Sequence, residues 1–253
     1  MHPILLKLGP VTLYSYGAMM ACAFLLVTAL SRRAARRLPA ECVAIAPTQL
    51  IDFACAALLG GILGARLFFI ALHWEDFARV PSEIPALWHG GLVWYGGFAG
   101  GVSGAWWYAR ATHLRFIRVM DQFIPFVALG HAVGRVGCFL NGCCYGLPTQ
   151  GWCGVVFPNH TEPVLPTQVF EAVGLLLLYV GLRLLQRREV LRYPGWVFGA
   201  YLIGYGLLRV VMEFLRGDQT TWWMGLTLQQ LISAGMMLMG SALLWRPIIR
   251  GRQ

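Results

Sequence analysis

The chain has 253 residues, of which 58% are hydrophobic and only 12% are charged. This composition excludes an ordinary soluble domain and is typical of a polytopic membrane protein. The net charge of +9 would suit a nucleic-acid partner in a soluble protein, but here the basic residues flank apolar segments. We therefore expect a lipid bilayer as the partner and no nucleic acid. Without repeats or low-complexity tracts, residues 1–253 are expected to form a single transmembrane domain.

Seven apolar segments follow one another along the chain, each close to the roughly 20 residues that cross a ~30 Å hydrocarbon core. They are 13–31, 48–72, 91–109, 119–139, 167–185, 195–215 and 225–245. We therefore predict an all-α fold with seven transmembrane helices. The first segment is followed by several arginines, which indicates a retained helix and not a cleaved signal peptide.

The basic residues alternate between the two sides of these segments. Fourteen of the 20 lie in four clusters, three lie in the other connections, and three lie inside the segments. The clusters are at 32–37, 110–118, 183–192 and 246–252. The positive-inside rule then predicts an external N-terminus and a cytoplasmic C-terminus. Residues of about 140–165 are expected to form a small extracytoplasmic loop region.

Arg66, Arg135 and Arg209 lie within segments that otherwise resemble lipid-buried helices. A charge at membrane depth is expensive, so such residues usually face a protein interior or a wet cavity. Because a guanidinium matches a phosphate bidentately, the three predict a site for an anionic lipid head group in the outer half of the bilayer. Tyr16 and Glu213 are expected at the same depth. A structural alternative is that the arginines reach the head groups or pair with carboxylates, as Glu213 could with Arg209 one helical turn away.

Glycine-rich sequence surrounds two of the candidate site residues. Arg135 lies in the segment 134–146, which contains four glycines that permit close backbone approach and anion-binding N–H groups. His89 precedes Gly90 and Gly91 at the start of the third apolar segment, where it could act as a base, a donor or a simple cap.

Four of the seven cysteines, Cys138, Cys143, Cys144 and Cys153, lie at or after the outer end of the fourth segment. An oxidising outer side favours a disulfide of Cys143 or Cys144 with Cys153. Free thiols are the second interpretation. Zinc binding with His160 is the third, but the spacing is not a recognised zinc pattern, so no metal site is predicted.

Motifs along nearly the whole chain resemble the bacterial prolipoprotein diacylglyceryl transferase family. The core motif is Gly-Arg-x-Gly-x-Phe-x-Asn-Gly within residues 134–146. The other similar segments are Tyr16-Gly17, Gly64-Ala65-Arg66, the His-Gly-Gly start at His89, Pro166-Thr167-Gln168-Val169-Phe170-Glu171, residues 203–216 and Gly225-Leu226-Thr227. The resemblance follows the order of the family and covers most of the chain.

The resemblance implies an enzyme of the bacterial inner membrane that uses no cofactor. Such an enzyme moves the diacylglyceryl group of phosphatidylglycerol onto the lipobox cysteine of a preprolipoprotein and releases glycerol 1-phosphate. Arg135 and Arg209 would stabilise the departing phosphate, and His89 would deprotonate the thiol or polarise the lipid head group. The residues expected to bind substrate are Tyr16, Arg66, Gly90, Gly91, Asn141, Gly146 and Glu213.

The chain departs from the family pattern beside Arg135. Cys138 stands where many members carry Asn, and Cys143-Cys144-Tyr145 stands where many carry Glu-Leu-Trp. The Glu carboxylate of that motif is therefore missing. Three explanations are open: the carboxylate is dispensable, Glu213 or Glu162 replaces it, or the substrate of this protein differs.

Three other functions remain open from the sequence. One is a related membrane lipid transferase with a different acceptor. Another is an anion transporter, although no inverted repeat supports it. The third is a rhomboid-like protease, suggested by the serine in Gly101-Val102-Ser103-Gly104 together with His131.

Overall fold

The computed structural model describes residues 2–8, 11–87, 90–158, 161–186, 193–216, 221–223 and 225–250. Helices dominate, and two short antiparallel hairpins precede the first and last helices. In chain order the elements are β1 (Ile4–Leu8), β2 (Val11–Tyr14), α1 (Ser15–Ala35), α2 (Gln49–Leu72), α3 (Trp74–Arg79), α4 (Trp94–Ala111), α5 (Phe116–Asn141), α6 (Thr167–Leu185), α7 (Trp196–Leu215), β3 (Thr221–Trp223), β4 (Leu226–Thr227) and α8 (Leu228–Arg250). Single 3₁₀ turns form at Ala40–Cys42 and Pro81–Glu83.

Among the described residues, six helices are long and apolar enough to cross a membrane, namely α1, α2, α5, α6, α7 and residues 228–245 of α8. Large apolar side chains such as Leu63, Leu177 and Leu238 are more than 60% exposed on their surfaces, as expected of helices that face lipid. The prediction of a helical, multi-pass membrane protein is therefore confirmed. The third predicted span is a helix, α4, but its five glycines lower its hydropathy, and it is not among the six.

Helices α2 and α4 pack closely because glycines line both contact faces. A Cβ added to Gly64 would collide with the carbonyl oxygen of Gly96, and one added to Gly100 would collide with that of Gly60. These glycines recur at four-residue intervals, the spacing that lets membrane helices approach backbone to backbone. The close approach fixes the end of α2, which carries Arg66, beside the start of α4.

Helix α5 lies at the centre of the bundle and contacts α1, α6 and α7. Two buried polar residues anchor its first half. Gln122 accepts a hydrogen bond from the Ala44 amide at 2.8 Å, and Asp121 accepts bonds from the Gly195 and Phe198 amides at the start of α7. These bonds satisfy backbone donors that would otherwise be unpaired in an apolar interior.

The same packing places the end of α5 beside the starts of α1 and α6 and the end of α7. A Cβ added to Gly137, near the end of α5, would lie 3.4 Å from Cδ2 of Tyr16, near the start of α1. Tyr16, Arg135 and Arg209 therefore lie at one end of the bundle, as the sequence predicts.

Candidate functional site

A buried ion pair joins α5 to α6 at this end of the bundle. Nη2 of Arg135 lies 2.9 Å from Oε1 of Glu171, and Glu171 is only 2% exposed. A carboxylate buried this deeply needs a cationic partner. Glu171 is therefore the carboxylate beside Arg135, a position for which Glu213 and Glu162 were considered from the sequence. Glu162 is exposed, and Glu213 has a different partner.

That partner is Arg209, one helical turn earlier on α7. Nη2 of Arg209 lies 2.9 Å from Oε2 of Glu213, so the predicted pairing is confirmed. The Thr227 hydroxyl donates a 2.5 Å hydrogen bond to Oε1 of Glu213. All three side chains are buried, so α7 and the start of α8 are fixed to each other around the pair.

Tyr205 and His131 connect the two ion pairs into one cluster. The Tyr205 hydroxyl lies close enough to Arg135, Arg209 and Glu171 to interact electrostatically with all three. Nε2 of His131 lies 3.9 Å from Oε1 of Glu171, and its ring meets that of Tyr205 edge to face at 5.2 Å between centroids.

Each arginine of the cluster has a buried donor that its carboxylate does not use. Among the residues that the structure describes, Nε of Arg135 and Nη1 of Arg209 have no hydrogen-bond partner. Unpaired buried donors cost free energy unless a ligand or water satisfies them. Each ion pair is neutral overall, so these two N–H donors are the groups with which the cluster can hydrogen-bond to an anion.

Tyr16 and Asn141 lie at the rim of this cluster. Tyr16 is 43% exposed and interacts electrostatically with Arg135 and with the thiols after α5. Asn141, the last residue of α5, is exposed and interacts with the Cys143 thiol. Both positions permit the substrate contact expected of them.

Gly146 has a packing role that the sequence analysis did not predict. A Cβ there would come within 2.5 Å of the Leu215 carbonyl oxygen and within 2.7 Å of the Thr167 side chain. Its amide donates to the Leu165 carbonyl at 2.8 Å. The glycine thus lets the chain after α5 pass between the start of α6 and the end of α7.

Arg66 is buried but does not join the cluster. Its Nε donates to the Ile84 carbonyl at 3.0 Å, Nη1 to the Gly90 carbonyl at 2.7 Å and Nη2 to the Glu83 carbonyl. Its guanidinium also lies over the Phe69 and Phe77 rings. Backbone carbonyls accept from all three nitrogens, so Arg66 has a structural role, and its expected contact with substrate stays a prediction.

The expected histidine site can be located only through its neighbours. His89 lies outside the described residues. Gly90 and Gly91, which follow it, have φ of 81° and 75°, a left-handed conformation that favours glycine. Their carbonyls accept the Arg66 hydrogen bonds, so the two glycines hold the start of α4 and are not shown to face substrate.

The predicted disulfide of Cys143 or Cys144 with Cys153 is not formed, since all seven cysteines carry free thiols. The reason lies in the turn that ends α5. Gly142 adopts φ of 76° and Cys144 φ of 65°, which returns both thiols toward Cys138. Cys153 does not belong to this group of neighbouring sulfurs.

Glu171 and Tyr205 are the members of the cluster whose roles the sequence analysis missed. Glu171 was noted only as part of a family motif, although an acidic residue in an apolar helix without a basic neighbour on that helix signals a partner elsewhere.

The protease alternative finds no support, because Ser103 is exposed on α4 while His131 contacts Glu171 and Tyr205.

The fold and the cluster define a multi-pass membrane protein with two arginine–glutamate ion pairs at one end of its helix bundle. Residues 3–246 match the family described as prolipoprotein diacylglyceryl transferase. A Clostridium tetani protein named phosphatidylglycerol–prolipoprotein diacylglyceryl transferase is 34% identical over 86% of each chain. A protein of the same name from Synechococcus elongatus is 35% identical over 85% of this chain and 77% of its own length. Another, from Parasynechococcus marenigrum, is 34% identical over 96% of this chain and 92% of its own length. The chain belongs to this family.

Proposed function

We propose that this protein transfers the diacylglyceryl group of phosphatidylglycerol to the lipobox cysteine of a preprolipoprotein in the bacterial inner membrane. The thiolate sulfur attacks the terminal sp³ carbon of the diacylglyceryl group. The carbon–oxygen bond breaks, and its electron pair leaves with the phosphate oxygen as glycerol 1-phosphate. The relatives carry the name of this activity.

The observation that carries the proposal is the pair of buried, unused donor atoms on Arg135 and Arg209. The phosphate gains negative charge as it departs, so preorganised donors aimed at it stabilise the transition state more than the ground state. Nε of Arg135 and Nη1 of Arg209 are such donors. Glu171 and Glu213 act as positioning residues, because each holds a guanidinium through its Nη2.

The thiol must lose its proton before it attacks, since the thiolate is the nucleophile. His89 is the proposed base, because an imidazole titrates near working pH. If it is, His89→Ala should transfer slowly, and its residual rate should rise with pH as more of the acceptor thiol ionises by itself. A residual rate that does not change between pH 6.5 and 8.5 would contradict this role.

The proposed arrangement in the membrane has seven spans, with α4 as the third, the N-terminus outside and the C-terminus in the cytoplasm. The positive-inside rule and the glycine contacts of α4 with α2 support it. Reporter fusions after Leu38 and after Arg250 should report the cytoplasm, and one at Gly151 the outside. A cytoplasmic signal at Gly151 would place the arginine cluster on the wrong side for this function.

The function is tested with the purified protein in vesicles that contain phosphatidylglycerol and a lipobox peptide. We expect the peptide to gain the mass of a diacylglyceryl group, with one glycerol phosphate released per peptide. Phosphatidylethanolamine vesicles and a peptide with serine in place of the lipobox cysteine should give no product. Equal transfer from phosphatidylethanolamine would exclude the proposed donor, and an inert folded protein with both correct substrates would exclude the function.

A further inference from the structure

The thiols of Cys138, Cys143 and Cys144 form a cluster that the proposed function does not use. Their sulfur atoms all lie within 4.8 Å of one another. Within the described ranges, no other set of three His, Cys, Asp or Glu side chains converges in this way. All three residues are half-buried, so an ion could reach them while the surrounding protein partly excludes water.

The protein backbone holds these sulfurs in place. The Cys143 amide donates to the Cys138 carbonyl at 3.2 Å, which closes the turn. Gln168 donates to the Cys143 carbonyl at 2.6 Å, and the Thr167 hydroxyl donates to the Cys144 carbonyl at 2.8 Å. Two residues at the start of α6 thus fix the turn that carries two of the thiols against the end of α5.

Positive charge lies close to the cluster. Metal ions bind cysteine as the thiolate, and the guanidinium groups of Arg216 and Arg135 interact electrostatically with Cys144.

We propose that Cys138, Cys143 and Cys144 form a binding site for a thiophilic d¹⁰ metal ion, Zn²⁺ or Cu⁺. At a metal–sulfur distance of about 2.3 Å, the sulfurs of a tetrahedral zinc site lie about 3.8 Å apart. The three sulfurs, all within 4.8 Å of one another, lie close to that spacing. Three thiolates suffice for trigonal Cu⁺, and they leave one position of Zn²⁺ for water. A bound ion would lock residues 142–144 to the end of α5, next to Arg135.

The test uses the full-length protein, reduced and in detergent, with Zn²⁺ alone or Cu⁺ alone as the probe. We expect one ion per chain, and a cobalt-substituted sample should show sulfur-to-metal charge-transfer absorption. Cys138→Ser, Cys143→Ser and Cys144→Ser should each weaken binding by more than about 10-fold, since even the loss of an indirect partner of a metal ligand costs 10- to 100-fold. Cys153→Ser is the matched control and should bind as the wild type does.

A second measurement needs no variant. Zn²⁺ or Cu⁺ should protect the three clustered thiols of the wild-type protein from alkylation and leave Cys153 reactive. Binding of neither ion, or binding that the three serine variants retain, would overturn the proposal. A disulfide between two of the three in protein isolated without reductant, together with no metal binding after reduction, would also overturn it and identify a redox pair. None of these measurements depends on transferase activity.

Discussion

Arg66, Arg135 and Arg209 all lie within long apolar helices of one membrane protein, but they have different partners. Backbone carbonyls accept from all three nitrogens of Arg66, so this guanidinium holds the segment between α2 and α4. Arg135 and Arg209 instead pair with carboxylates and each keep one unused donor. A buried arginine in a membrane helix is therefore not evidence of a binding site until its donors are accounted for.

The largest effect should come from Arg135. Arg135→Ala removes the proposed clamp and should reduce transfer by about 10²–10³-fold, the usual effect of losing one preorganised donor. Arg135→Lys keeps the charge but loses the fork of donors, so it should also be strongly impaired. The measurement is the initial rate of peptide lipidation.

The control is Arg183→Ala, which removes a half-buried arginine near the opposite end of the bundle. It should transfer at close to the wild-type rate. A well-folded Arg135→Ala protein with near wild-type turnover would mean that Arg135 is structural, as Arg66 is, and the comparison would fail.

Arg66→Ala should act mainly on stability. It removes the hydrogen bonds that this charged side chain donates to the carbonyls of Glu83, Ile84 and Gly90, and a hydrogen bond to a charged group contributes about 1.5–3 kcal/mol. We expect a loss of about 2 kcal/mol or more in the free energy of unfolding, seen as a lower Tm in detergent. Arg79→Ala on α3, which removes an exposed arginine of the same segment, should leave Tm unchanged. An unchanged Tm in Arg66→Ala would show that the carbonyl contacts contribute little.

Glu171→Gln separates positioning from binding within the cluster. Gln keeps an acceptor for Arg135 but removes the negative charge, so the guanidinium is held less firmly while its attraction for phosphate increases. We expect kcat to fall by about 10-fold, as for groups that orient other functional groups, while KM for phosphatidylglycerol falls or stays constant. The exposed Glu162→Gln should change neither constant. A higher KM with unchanged kcat would mean that Glu171 contributes to substrate binding and not to orientation.

The smallest effect should come from Cys153→Ser. Because Cys153 carries a free thiol in the structure, its loss should change the free energy of unfolding by less than about 0.5 kcal/mol. Removal of a disulfide would instead cost about 2–4 kcal/mol. Thermal unfolding without reductant distinguishes the two, and a large loss of stability would restore the predicted pairing with Cys143 or Cys144.

The sequence by itself determined the features that depend on local spacing. Runs of about 20 apolar residues predict membrane helices because each helix satisfies its own backbone hydrogen bonds, and the observed helices lie close to the seven predicted segments. The pairing of Arg209 with Glu213 was also predictable, since residues four apart on one helix lie side by side. The family motifs could be recognised for the same reason, because each is short and contiguous.

Only the tertiary structure decided the partners that come from distant parts of the chain. Glu171 reaches Arg135 because α5 and α6 pack together, and Arg66 meets carbonyls because glycines bring α2 against α4. Cys143 and Cys144 join Cys138, and not Cys153, because left-handed residues after α5 reverse the chain. The type of a side chain and its position along the helix determine which kinds of group it can form a hydrogen bond or an ion pair with. Which donor or acceptor it actually meets depends on helix packing, and no local pattern in the sequence encodes that packing.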